Sequence, residues 1–246
     1  MKTRKIISAG PLVLEAIYPR GSAQDSPRVR AGKRRLSSEA QQRLNAKHSF
    51  QKLELLLAAN FVPGDWVVTL TYDEEHLPRS RQQAVARLKE FRRQLSQRRK
   101  TRGLQLVMVW NAENVFDQGR WHHHCVINAC GEDFALLREL WPWGSNVEIQ
   151  TLRIDRDHSY EAIARYLCKE QRERPGLRSW SYTRSCRQPE VETMAVPDDT
   201  PLQPPKGATI YEDQRRQNEF GSWRVVKYLA PNWRREIRRP PRRRKR

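Results

Sequence analysis

Apolar positions along this chain switch between two spacings, and the switches predict alternating helices and strands. Leu44, Phe50, Leu53, Leu56 and Leu57 form a rough helical stripe. Ser38-x-x-Gln41 opens it with a capping-box pattern, and it ends near Asn60, before Pro63-Gly64. Trp66 to Tyr72, W-V-V-T-L-T-Y, is β-branched and aromatic and predicts a strand. Residues 81–99 predict a second helix with Val85, Leu88, Phe91 and Leu95 on one side. Leu104 to Ala112 is an apolar run interrupted by Gln105, the mark of a buried strand. Asn111 to Gly119 makes a turn and Trp121 to Asn128 a partner strand, so the two predict a hairpin. Beyond it follow a helix at Glu132–Trp141, a strand at Val147–Ile154, a helix at Ser159–Gln171 and a short strand at Ser179–Ser185.

The order helix, strand, helix, strand, strand, helix, strand, helix predicts an α+β fold close to a split β-α-β plan. Helices would cover one face of an antiparallel sheet, leaving the other open. Around this domain, at 37–188, the chain changes character. Residues 1–36, punctuated by Pro19, Gly21, Pro27 and Gly32 and carrying Arg28, Arg30, Lys33, Arg34 and Arg35, predict an irregular, mobile basic arm. Residues 189–206 are acidic and proline-rich, a loop. Residues 207–233 predict an extension packed on the domain, with a helix to Asn218 and a strand at Trp223–Leu229. An arginine-rich tail, 234–246, follows.

Charge narrows the partners. The 246 residues carry 47 Lys+Arg against 28 Asp+Glu, a net +19, which calls for a polyanion, nucleic acid before membrane. No apolar run is long enough to span a bilayer, and Glu15 interrupts the brief apolar stretch near the N-terminus, so neither membrane insertion nor export is expected. Cys125, Cys130, Cys168 and Cys186 form no C-x-x-C pair, which argues against a zinc knuckle and fits reduced thiols in a cytoplasm.

The candidate chemistry lies in Gly119 to Asn128, G-R-W-H-H-H-C-V-I-N. On a strand, alternate side chains share a face, so His122 and His124 would project together and His123 the other way. A one-residue slip would instead present His123 with Cys125. Glu113, nine positions before His122, offers a third ligand, and an oxygen–nitrogen set suits Mg²⁺ or Mn²⁺. Downstream, Tyr166 has Lys169 one helical turn away. A helical tyrosine is ordinarily a core residue; the lysine singles this one out over Tyr160 and Tyr182. Ionising a phenol at pH 7 costs about 4 kcal/mol, which a nearby ammonium and a metal-bound phosphate would reduce. Trp121, Trp141, Trp143, Trp180 and Trp223 could stack on unpaired bases, although core packing is the ordinary role of each.

These segments together resemble the HUH endonucleases that initiate rolling-circle replication in phages and plasmids. The likeness covers most of residues 38–190. Asn45 to Phe61 is similar to the helix before the first motif, Val67 to Tyr72 to that motif, and Glu113 to His124 to the metal motif. Ala164 to Glu170 is similar to the Tyr-x-x-Lys motif and Ser181 to Pro189 to the segment after it. The chain departs from the family in having His123 where a hydrophobe usually separates the metal histidines, and in lacking a second tyrosine on the Tyr166 helix.

The resemblance implies the ferredoxin-like HUH fold, with Glu113, His122 and His124 holding the ion against a scissile phosphate of single-stranded or extruded origin DNA. Tyr166 would attack to give a 5′-phosphotyrosyl enzyme and a free 3′-OH, with Lys169 orienting the phosphate. Arg92, Arg93, Arg98 and Arg99 on the second helix, with Arg120 and Arg165 beside the two motifs, would contact DNA phosphates. A host polymerase would extend the 3′-OH. The sequence holds no G-x-x-x-x-G-K-[ST], so a host helicase would separate the strands. A tyrosine transposase of the same chemistry, and a non-catalytic nucleic-acid-binding protein with structural histidines, are the competing expectations.

Overall fold

A computed structural model describes residues 1–20, 39–114, 120–131, 133–153, 160–168, 180–218 and 221–231. Its elements, in chain order, are β1 (Lys2–Ala9), β2 (Leu12–Pro19), α1 (Glu39–Asn60), β3 (Trp66–Leu70), α2 (Arg81–Thr101), β4 (Met108–Asn111), β5 (Glu113–Asn114), β6 (Trp121–Ile127), α3 (Asp133–Glu139), β7 (Val147–Thr151), α4 (Glu161–Leu167), β8 (Trp180–Tyr182), β9 (Glu190–Val196), β10 (Thr209–Asn218) and β11 (Gly221–Leu229). The fold is α+β with antiparallel sheets, as the pattern predicts. The chain divides into two compact units, one within Met1–Leu44 and Gln188–Ile237, the other within Asn45–Arg187.

The second unit is built on a sheet of order β7-β3-β6-β4-β8, with β5 also paired to β6. All these pairs are antiparallel. On one face Trp66, Val68 and Leu70 of β3, Met108 and Trp110 of β4, and Cys125 and Ile127 of β6 meet a single stripe of α2, Ala84, Leu88, Phe91 and Leu95. Leu137 of α3 and Trp141 just beyond it complete this core. Ser80 caps α2 by accepting a hydrogen bond from the Gln83 N–H at 3.2 Å, and Arg98, Arg99 and Lys100 fill its last turn, where cations complement the helix dipole.

The expectation that helices cover only one face does not hold. Asn111 Nδ2 donates to the Leu167 carbonyl at 3.2 Å, which brings the end of α4 onto the second face. The Tyr160 hydroxyl, just before α4, donates to the Phe61 carbonyl just after α1 at 2.5 Å. Leu53, Leu55, Leu56, Leu57 and Ala58 of α1 are all buried, so this half of the helix is enclosed and shows no clean stripe. Coverage on both faces explains why β6 is nearly continuously buried where a half-exposed strand would alternate.

The turn after α3 admits only glycine at position 144. A Cβ there would lie 2.1 Å from the Thr71 carbonyl oxygen, which already accepts from the Trp141 indole N–H at 2.6 Å. Gly144→Ala is expected to destabilise the protein by about 1–3 kcal/mol through overpacking. A denaturation midpoint equal to that of the unsubstituted protein would contradict the close approach.

The first unit corrects the reading of the chain's outer segments. Its antiparallel sheet has the order β10-β11-β2-β1-β9. Residues 2–19 are a hairpin and not an irregular arm. Ile17 and Leu14 of β2 are buried, and Gly10, at φ 58°, makes the Gly10-Pro11 turn between Ala9 and its partner Leu12. Glu190–Val196, inside the expected loop, is an edge strand whose mostly exposed side chains gave no hydrophobic signal. Residues 209–218, expected to be helical, pair with β11 instead; cross-strand partners override the helix-favouring Glu, Gln and Arg. Ile17, Leu202, Val226 and Tyr228 form the unit's small apolar cluster. Beside it, the buried Glu15 carboxylate accepts from Arg4 at 2.6 Å and from the Tyr228 hydroxyl at 3.3 Å. Burial, reinforced by Glu15, pushes the Tyr228 phenol up to about 12. The basic cluster at 28–35 and the tail at 234–246 lie outside the described residues.

Candidate active site

Strand register assembles the site. In the β4–β6 ladder Trp110 pairs with Cys125, and the same register continues through Ala112 so that Glu113 of β5 pairs directly with His122. Asn111 therefore stands opposite His124. On the other side of β6, Thr69 of β3 pairs with His124, and Glu148 of β7 pairs with Thr69. Because cross-strand partners project to the same face, Glu113, His122, His124, Asn111, Thr69 and Glu148 share one face of the sheet.

The structure brings Tyr166 onto that face. Its hydroxyl sits astride the His124 ring edge, 3.0 Å from Nε2 and 3.1 Å from Nδ1, with ring centroids 4.5 Å apart. The same Nε2 lies 3.4 Å from Glu113 Oε2. Tyr166 is 43% exposed, whereas its rival Tyr160 is sealed inside at 1%. Burial of its base, then the Glu113 and Glu148 carboxylates, raise the Tyr166 phenol above its ordinary range. The His122 and His124 rings are parallel, with centroids 6.5 Å apart. Burial, and then the neighbouring His124, lower the His122 imidazole. Lys169 lies outside the described residues.

Among the described residues no three His, Cys, Asp or Glu side chains form a ready-made metal cage. His124 and Glu113 are drawn together, and His122 is the outlying member. Its Nδ1 is buried without a well-aligned hydrogen bond, although the Arg120 backbone is close enough to counter part of the lowering of this imidazole. Two imidazoles and one carboxylate are donor types that suit a small divalent cation.

His123 takes the opposite face, with Cys125, inside the α2 core. It is fully buried, donates from Nδ1 to the Asn111 carbonyl at 3.3 Å and accepts at Nε2 from the Tyr72 hydroxyl at 2.8 Å. Tyr72 and Trp141 pack edge-on against its ring. Burial lowers it to about 3, so it stays neutral and fills a hydrophobe's place. The register alternative of His123 with Cys125 as exposed ligands therefore fails.

The expected phosphate-binding arginines separate into different roles. Arg99 is a correction: it is 0% exposed, and its guanidinium donates to Asp133 Oδ2 at 2.7 Å and to Asn128 Oδ1 at 2.6 Å. It continues the stripe of Leu88, Phe91 and Leu95 on the buried face of α2, one turn beyond Leu95, a spacing the sequence carried inside its basic run. Arg93 pairs with Glu90, Arg98 with Glu139, Arg120 with Glu74 and Arg165 with Glu161, all on the surface. Arg92 lies over the Trp110 ring at 5.6 Å. Trp121, Trp141 and Trp180 are buried and pack internally, while Trp143 and Trp223 are half-buried.

Two positioning residues escaped the sequence. Thr69 Oγ1 lies 3.2 Å from His124 Nδ1. If Nδ1–H donates to this hydroxyl, the Nε2 lone pair faces Glu113, the orientation a metal ligand needs. Asn111, expected to begin a turn, accepts the His124 N–H at Oδ1 (3.0 Å) while donating to Leu167. Alternation in V-V-T-L-T-Y could have placed Thr69 on one face, but only the register pairs it with His124.

Residues 65–171 match the family model of the replication-associated protein ORF2 group. The matched span runs from just before β3 to just past α4 and so contains every residue of this face named above. The chain matches no curated protein and no solved structure.

Proposed function

We propose that this chain, whose residues 65–171 match the replication-associated protein ORF2 family, initiates rolling-circle replication by nicking and rejoining one DNA strand through Tyr166. The observation that carries this reading is the convergence of the Tyr166 hydroxyl, His124 Nε2 and Glu113 Oε2, with successive separations of 3.0 and 3.4 Å. A structural histidine has no need of an exposed phenol and a carboxylate on the same nitrogen. The family's description favours replication over transposition. The antiparallel sheet with the histidines on its central strand is the arrangement expected of an HUH endonuclease.

Glu113, His122 and His124 would hold Mg²⁺ or Mn²⁺, which when bound would polarise the scissile phosphate and supply positive charge against Glu113 and Glu148. Thr69 would fix the His124 ring through Nδ1, and Asn111 would fix the strand that carries it. Tyr166 Oη would attack phosphorus as the P–O3′ bond breaks. The phenolic proton would be lost and the departing 3′ oxygen would gain one. The product is a 5′-phosphotyrosyl link and a free 3′-OH. This link conserves the phosphodiester energy, so a later 3′-OH can reverse it. Lys169 would orient the phosphate, and a host helicase and polymerase would open and copy the duplex.

The test incubates the full chain with single-stranded DNA tiling the replicon that encodes it, in Mn²⁺. A DNA–protein adduct that survives boiling in detergent is expected, and should disappear with EDTA and in Tyr166→Phe. No adduct on any segment would leave a DNA-binding protein without cleavage chemistry. An adduct that persists in Tyr166→Phe would move the nucleophile elsewhere.

A further inference from the structure

A second concave surface lies on the opposite side of the sheet, where α2 passes the turn after β8. It is a cleft of ≈720 Å³ with Arg92, Arg93 and Lys100 on the α2 wall, Arg184 on the turn opposite, and Leu104 and Leu106 among its other lining residues. That volume is in the range of built ligand sites. Among the described residues no aspartate or glutamate lines it. Arg93 is neutralised from outside by Glu90. No carboxylate pairs with Arg92, Lys100 or Arg184 among the described residues, and Arg92 Nε is buried without a hydrogen-bond partner. A run of cations on a helix is ordinarily a solvated face; here three unpaired cations surround a concavity. Arg92 also lies over the Trp110 ring, 5.6 Å from its centroid.

We propose that this cleft binds the sugar–phosphate backbone of DNA outside the segment being cut, as a second contact separate from the Tyr166 face. Edge strand β8 joins the two places. Its Trp180 pairs with Asn111 of the candidate active site, and Thr183 to Ser185, immediately after it, form the cleft's lip. A strand that crosses this edge passes from the histidine face to the α2 face. The cleft presents charge and hydroxyls but no accessible aromatic platform, so it follows phosphates without reading bases. The proposal rests on the reading that DNA is the substrate, and its test separates the two.

Binding of the full chain to fluorescent oligo(dT) is measured across a salt series. Arg92→Gln/Arg184→Gln is compared with Arg184→Gln alone, which alters only an exposed turn residue, and with Arg138→Gln, which removes a surface charge on α3. Each lost phosphate contact is expected to lower the slope of log K against log salt by about 0.7, so by about 1.4 in the double variant, with affinity falling on the order of tenfold. Arg184→Gln alone should give about half the slope change, and Arg138→Gln little. If both cleft variants match Arg138→Gln while the unsubstituted protein binds tightly, the cleft is not a DNA site and the nicking proposal stands. If the unsubstituted protein binds no oligonucleotide, both fail together.

Discussion

His124→Ala is expected to reduce adduct formation by about a thousandfold or more. Among the described residues this is the one imidazole in contact with both the proposed nucleophile and the carboxylate: Tyr166 Oη is 3.0 Å and Glu113 Oε2 3.4 Å from its Nε2. A metal acting as Lewis acid on a phosphoryl oxygen contributes several kcal/mol, and about 4 kcal/mol is a factor of about a thousand in rate. The loss should not reflect unfolding, because the ring faces Tyr166 and not the apolar α2 core. Quenched-flow measurement of the covalent species, with denaturation curves for both proteins, separates chemistry from stability. Thr69→Val should have a smaller effect of a different kind. Losing a partner behind a ligand weakens metal affinity about 10–100-fold, so this variant should recover with added Mn²⁺ where His124→Ala does not. An adduct formed by His124→Ala at the unsubstituted rate would remove the metal from the proposal.

Asp133→Ala is expected to cost about 3–5 kcal/mol of stability, the usual penalty for leaving a buried charge without its partner. Arg99 is 0% exposed and rests on Asp133 Oδ2 and Asn128 Oδ1, while Arg102 donates to Asp133 Oδ1 at 2.5 Å. Truncating the aspartate leaves a guanidinium in the interior of the domain with only neutral acceptors. Replacing both members, as Arg99→Met with Asp133→Leu, removes the unpaired charge and should cost much less than the single substitution. Chemical denaturation of the three proteins decides this. A double variant as unstable as Asp133→Ala would mean the pair contributes mainly through shape.

The sequence was most informative where a single spacing determined the answer. The stripe at Leu88, Phe91 and Leu95 and the hairpin from Met108 to Ile127 could both be read directly, because α2 has one apolar face and β4 and β6 are short, apolar and close in sequence. The separation of His122 and His124 from His123 followed from alternation alone. What stayed hidden depended on pairing between distant segments. β9 joins β1 across most of the chain, and β10 reads as helical until β11 lies beside it. Thr69 and Asn111 behave the same way, since neither residue type at its position signals that it will touch His124. Arg99 was misread for a different reason: its spacing four residues after Leu95 puts it on the buried stripe, but the basic run around it masked that position, and only the fold shows the aspartate 34 positions away that it meets.

The Asn111 side chain has one further consequence. Its oxygen holds the His124 N–H and its nitrogen holds the Leu167 carbonyl, one residue beyond Tyr166. The strand that carries His124 and the helix that carries Tyr166 are thereby fastened to a common peg. A displacement of β6 that left both bonds intact would have to move the end of the Tyr166 helix with it. On the proposed reading, such a tie would hold the hydroxyl and the imidazole at one spacing for both the breaking and the resealing of a strand.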